Sequence, residues 1–128
     1  MEGMRIAVAA GALALAAGGA PAMAHHSFAA FDLQKTVTVD GVLTEVKFTN
    51  PHSWMQVEVT GQDGKAVRWG IEGLSPGQYF KKGLKRSQLK VGDHVKVIVN
   101  PLRSGEPGGS LVKATLADGS TIEGGPGQ

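Results

Sequence analysis

The chain has no cysteine among its 128 residues. Thiolate zinc sites, iron–sulfur clusters, thiol nucleophiles and disulfides are all excluded, and so is a lipid anchor on a cysteine behind an export signal. A marked charge of either sign is also missing: the formal net charge is +2 at pH 7, too mild to argue for a nucleic-acid partner. No apolar run reaches the roughly 20 residues that a membrane-spanning helix needs. The sequence contains no phosphate-binding glycine loop, dinucleotide fingerprint, paired-carboxylate site or H-x-x-x-H spacing. Ser27 follows His26, but no orienting carboxylate can be placed for a triad, so there is no sequence case for hydrolysis.

The N-terminus has the parts of an export signal. Arg5 lies in a short leading region, Ile6 to Ala20 is apolar, and Ala22-Met23-Ala24 supplies the small-x-small pattern of a cleavage site. Cleavage after Ala24 is expected, with Ala20 and Ala22 as alternative cut points and an uncleaved tether as the rival reading. The mature chain would be 104 residues, His25 to Gln128, a single periplasmic or secreted domain with no stable membrane anchor. A chain of that size buries roughly 60–70% of its unfolded surface.

Residues 25–35 read as an N-terminal arm that packs Phe28 and Phe31 on the body. A long β-rich run from Thr36 to Thr49 changes its apolar parity, and the bulge this requires is expected near Gly41. Trp54 to Thr60 alternates, with Met55, Val57 and Val59 on one face. Gly61-Gln62-Asp63-Gly64 is a hairpin turn, and Ala66 to Glu72 alternates again through Val67, Trp69 and Ile71. Ser75-Pro76 is a helix start, but Gly77 and Gly83 predict a short or broken helix. His94 to Leu102 and Leu111 to Leu116 follow as strands, separated by a loop at Ser104–Gly109. The order is three strands, a helix, then two strands. It predicts an all-β, five-stranded OB-like Greek-key barrel over residues 36–122, with its short helix between strands 3 and 4. Residues 123–128 are expected to be a disordered tail.

The chemistry-bearing candidates are histidines. Cleaved after Ala24, His25 offers its α-amino nitrogen and its imidazole Nδ1, which close a six-membered chelate ring on a metal. With one or two further imidazoles this donor set suits copper, and less selectively nickel or zinc. His26 is a possible extra donor, though strained beside His25. His52 follows Asn50-Pro51 in the turn between the first two strands, on a stiff mount, and is the candidate partner of His25. Asp32 is a candidate orienting carboxylate for an imidazole or a turn cap. His94 is a weaker ligand candidate. Trp54 shares the outward face with Gln56 and Glu58, so Trp54 and Asn50 are binding-face candidates, although Trp54 under the N-terminal arm is the alternative. Lys81, Lys82, Lys85, Arg86 and Lys90 form a basic stretch read as a solvated helix face.

His25-His26-Ser27, Phe31-Asp32 and Thr49-Asn50-Pro51-His52 together resemble a family of small exported bacterial proteins classed as a domain of unknown function, over about His25 to Ile122. The resemblance implies export and a small β domain, and brings no activity with it. The terminal histidine also resembles the histidine brace of exported copper carriers and copper oxygenases. The expected function is therefore an exported copper carrier or sensor, with a metal-delivery or other periplasmic protein partner, rather than an enzyme; copper-dependent redox activity stays open. The rival is a metal-free binding module that holds a peptide, glycan or protein on the OB-like face.

Overall fold

The computed structural model describes residues 26–128. A four-residue helical turn, α1 (His26–Ala29), precedes β1 (Val37–Lys47), β2 (Trp54–Thr60) and β3 (Ala66–Glu72). Helix α2 (Pro76–Lys81) and a 3-10 turn (Arg86–Gln88) lead to β4 (His94–Pro101), β5 (Gly108–Thr115) and β6 (Thr121–Glu123). The strands run in the order β3-β2-β1-β4-β5-β6, and a parallel β3–β5 pairing closes the first five into a barrel. This is the OB-like barrel that the strand order implies, with its helix between β3 and β4.

Strand β1 serves two neighbours. Val37 to Val42 pair with β4, and Val42 to Lys47 pair with β2. The inward set begins Val39 and Leu43, both buried, and continues with Val46 and Phe48 packed against the core. The parity change occurs at a register shift between Leu43 and Glu45, not at Gly41, so Val42 stays outside at 41% exposure. Gly41 serves the close crossing of β1 over β2, because a Cβ there would stand 2.2 Å from the backbone oxygen of Glu58. The Val91–Asp93 turn clasps the bulge, since Gly92 N–H donates to Leu43 O at 2.7 Å and Leu43 N–H to Asp93 O at 2.8 Å.

The core is aliphatic, with Leu43, Val57, Ile71, Val97, Val99, Leu111 and Ala114 fully buried. Burial of such side chains stabilises by about 1.5–3 kcal/mol each. Strand β5 begins at Gly108, earlier than the Gly/Pro loop suggests. Gly109 lies where a Cβ would meet Asn100 O at 2.4 Å, so the glycines that imitate a loop let β5 approach β4. Helix α2 starts at Ser75, whose hydroxyl accepts from Gln78 N–H in a capping box. Gly83, at φ +98°, ends the helical stretch just beyond Lys82.

Two terminal expectations are corrected. Of the arm's aromatics only Phe31 is buried, bridged to Leu102, while Phe28 remains 45% exposed. The segment after β6 is packed rather than disordered. Gly125 and Pro126 are buried, Ser110 Oγ donates to Pro126 O at 2.6 Å, and Gln128 bonds Asn100. Its small residues fit close against β5, which composition alone does not show.

Tyr79 on α2 ties the same segment down. Its hydroxyl donates to Gly124 O at 2.6 Å and accepts from Leu74 N–H at 2.9 Å. Burial pushes its ionisation up to about 12, against a smaller opposing pull from the Leu74 N–H. Tyr79→Phe leaves both backbone groups without this partner and is expected to cost about 1–3 kcal/mol, read by thermal unfolding. The folded state keeps a proton that the unfolded chain releases near its ordinary pKa of 10.0. This stabilisation is therefore complete below pH 10 and is lost as pH rises to about 12. Wild type should lose stability through that window more steeply than Tyr79→Phe.

Candidate functional site

The β1–β2 connection builds the first part of the site. Thr49 Oγ1 donates to His52 O at 2.8 Å and holds the turn, while Asn50 is exposed. The Asn50–Pro51 peptide is cis. Beyond His52, the chain joins the end of β3: Ser53 N–H donates to Leu74 O and Gly73 N–H to Ser53 O, both at 2.8 Å. These bonds extend the β2–β3 ladder and set His52 beside the last residue of β3.

That residue is Glu72, and its Oε1 contacts Nδ1 of His52. Glu72 is only 8% exposed. A carboxylate so buried needs a hydrogen-bonding partner, and the His52 imidazole supplies it. With Nδ1 donating to the carboxylate, a neutral ring carries its lone pair on Nε2. The side chain of His52 keeps 28% of its surface in solvent, and Nε2 makes no protein hydrogen bond among the described residues. This is the arrangement that fixes the tautomer of a metal-ligating or proton-accepting histidine.

The other candidates lie elsewhere. His25 falls outside the described residues, and of His26 only the backbone, in α1, is described. Asp32 caps a turn: it accepts from Gln34 N–H at 3.2 Å and pairs with Lys35 at 3.4 Å. Desolvation pushes its carboxyl up, but the Gln34 N–H and the Lys35 and Arg103 cations together outweigh it and hold the group below its usual range. The carboxylate in contact with His52 is Glu72. His94 contacts Asp40 on the exposed face of β1 and β4. Among the described residues no three His, Asp or Glu side chains converge as a ready metal cluster. Of the basic stretch, Arg86 lies over the Phe48 and Phe80 rings, 4.7 and 5.1 Å from their centroids, and Lys82 donates to Glu123 O at 3.2 Å.

Trp54 begins β2 and pairs with Lys47 on one side and Glu72 on the other. It is 44% exposed and borders an open groove of about 390 Å³ with Glu45, Lys47, Gln56 and Gly70. Among the described residues the arm bonds instead to the end of β4, where Asp32 N–H donates to Pro101 O at 2.8 Å. A larger cavity, about 470 Å³, lies between α2 and β6 beside Tyr79, Lys82 and Gln88, and among the described residues its lining includes neither His52 nor His94.

Sequence reasoning missed Glu72 and Gly70. Alternation from Val67 through Ile71 already turns both outward, but only the β2–β3 register shows that Glu72 stands next to His52 and Gly70 next to Gln56. Glu72→Ala is expected to move the neutral His52 proton from Nδ1 to Nε2. Long-range proton–nitrogen NMR of the imidazole reads this directly, and an unchanged tautomer would show that Glu72 does not orient the ring.

No curated protein and no solved structure shows significant similarity to the chain. The family model described as Family of unknown function (DUF6152) matches residues 12–112. With most of the barrel inside that match, the chain belongs to the DUF6152 family.

Proposed function

We propose that the protein is an exported β-barrel that binds one metal ion, copper by its donor chemistry, as a carrier or sensor. The ligands are His52 Nε2 and the amine and imidazole of His25 at the mature N-terminus, with His26 as a possible further donor. One observation carries the reading: Glu72 holds Nδ1 of His52 and leaves Nε2 as the donor atom. Neutral nitrogen donors in this number favour Cu(II) over Zn(II). The arm that carries His25 is rooted near the same end of the barrel. Phe31 bridges Leu102, Leu102 N–H donates to Gly108 O, and Gly108 pairs with Gly70, two residues before Glu72.

The experiment is a Cu(II) titration of protein released with His25 as its first residue. One equivalent should bind, with nitrogen couplings in the electron paramagnetic resonance spectrum. Glu72→Ala should weaken binding about 10–100-fold. His52→Ala, or one extra residue ahead of His25, should abolish the specific site. Equal binding by wild type, His52→Ala and the extended protein would sink the reading.

A metal-free binding module is the second reading, favoured by the exposed Trp54 above its groove. It expects Trp54→Ala to matter where His25→Ala does not.

A further inference from the structure

We infer that the outer face of β1, β2 and β3 is a saccharide site, in which Trp54 stacks on a sugar ring over the open floor at Gly70. The inference rests on the binding-face reading and is independent of copper. Three features of the groove select the ligand class.

First, the floor is free. A Cβ at Gly70 would meet nothing within 4 Å, although Gly70 is in the middle of a strand, where glycine is unfavourable. Gln56 is directly opposite Gly70, and Trp54 stands two pairs along the ladder, the next position on the same face. A flat ligand can therefore lie on backbone and against the indole. The volume, about 390 Å³, sits at the small end of ligand sites, about 300–1,000 Å³, and suits one or two sugar rings.

Second, the groove has no net charge. Lys47 Nζ pairs with Glu45 at 3.0 Å, and the neighbouring Arg68 pairs with Glu58 at 3.0 Å. A polyanion such as single-stranded nucleic acid needs unpaired basic groups along its track, so this face is poorly suited to it. Third, β2 is paired on both sides from Trp54 to Glu58, and Gly70 pairs with both Gln56 and Gly108, so the floor of the groove offers no edge for a peptide to join as an added strand.

What remains is a neutral ligand with an apolar face and a rim that both donates and accepts hydrogen bonds. A pyranose has both. Its C–H face covers the indole. Its hydroxyls donate to Glu45 and the Gln56 carbonyl, and accept from Lys47 and the Gln56 amide.

The test is a titration of the protein with maltotetraose, cellotetraose and chitotetraose, each to about 10 mM, the range that detects weak sites. The indole N–H resonances of Trp54 and Trp69 are followed by NMR. At least one neutral saccharide should shift Trp54 in a saturable way and leave Trp69 in place. Trp54→Ala and Gly70→Val should each weaken binding at least about tenfold. Gly70→Val has room for its side chain, so its melting temperature should match or exceed wild type, which separates a blocked groove from a damaged fold. Copper titration of Trp54→Ala and Gly70→Val is run beside the saccharide titration, so loss of copper and loss of saccharide are separate outcomes. No response to any of the three sugars, an undiminished response in both groove variants, or a response to oligothymidylate alone would overturn the proposal.

Discussion

The crossing of β1 over β2 at Gly41 is the contact on which the rest of the barrel depends. One strand must pair with β4 along its first half and with β2 along its second. That is possible only if the strand bends and the two backbones approach closely. Glycine permits the approach, with Glu58 O where any Cβ would sit, and the bulge between Leu43 and Glu45 supplies the bend. Once β1 is shared, the end of β3 and the start of β5 come together on the far side, and their parallel pairing at Gly70–Glu72 closes the barrel.

Closure decides what the surface offers. The same register that buries Val57 and Ile71 turns Trp54, Gln56, Gly70 and Glu72 outward. Glu72 then finds itself nearly buried beneath the β1–β2 turn, where a lone carboxylate is costly, and His52 answers it. The histidine mount and the tryptophan groove are neighbours for this reason: Trp54 and Glu72 are a cross-strand pair. The proposed metal ligand His52 and the proposed saccharide face therefore lie side by side.

The strand order, the helix start at Ser75 and the hairpin at Gly61–Gly64 were legible because they rest on local chemistry: alternation, capping and turn residues. The site was legible in part. Asn50-Pro51-His52 marked a rigid loop histidine, and alternation put Trp54 outside. Its orienting carboxylate was not legible, since Glu72 lies twenty residues away and nothing local to either residue records their contact. Asp32, just as far from His52 in sequence as Glu72 is, uses its oxygens on Gln34 and Lys35. Glycines misled twice, in the same direction. Gly108 and Gly109 looked like loop and are strand, and the glycine-rich end looked loose and is packed, because small residues serve close backbone approach as readily as flexibility.

The sequence by itself determined the class of fold, the lack of cysteine chemistry and the small set of histidines from which any nitrogen-donor site must be drawn. These follow from residue identity and short-range periodicity, which survive any tertiary arrangement. Only the tertiary structure decided which carboxylate meets which imidazole, which ring nitrogen is left with its lone pair, and whether Gly70 lies open or covered. Those are matters of register between strands distant in the chain, and a shift of one residue would have reversed each of them.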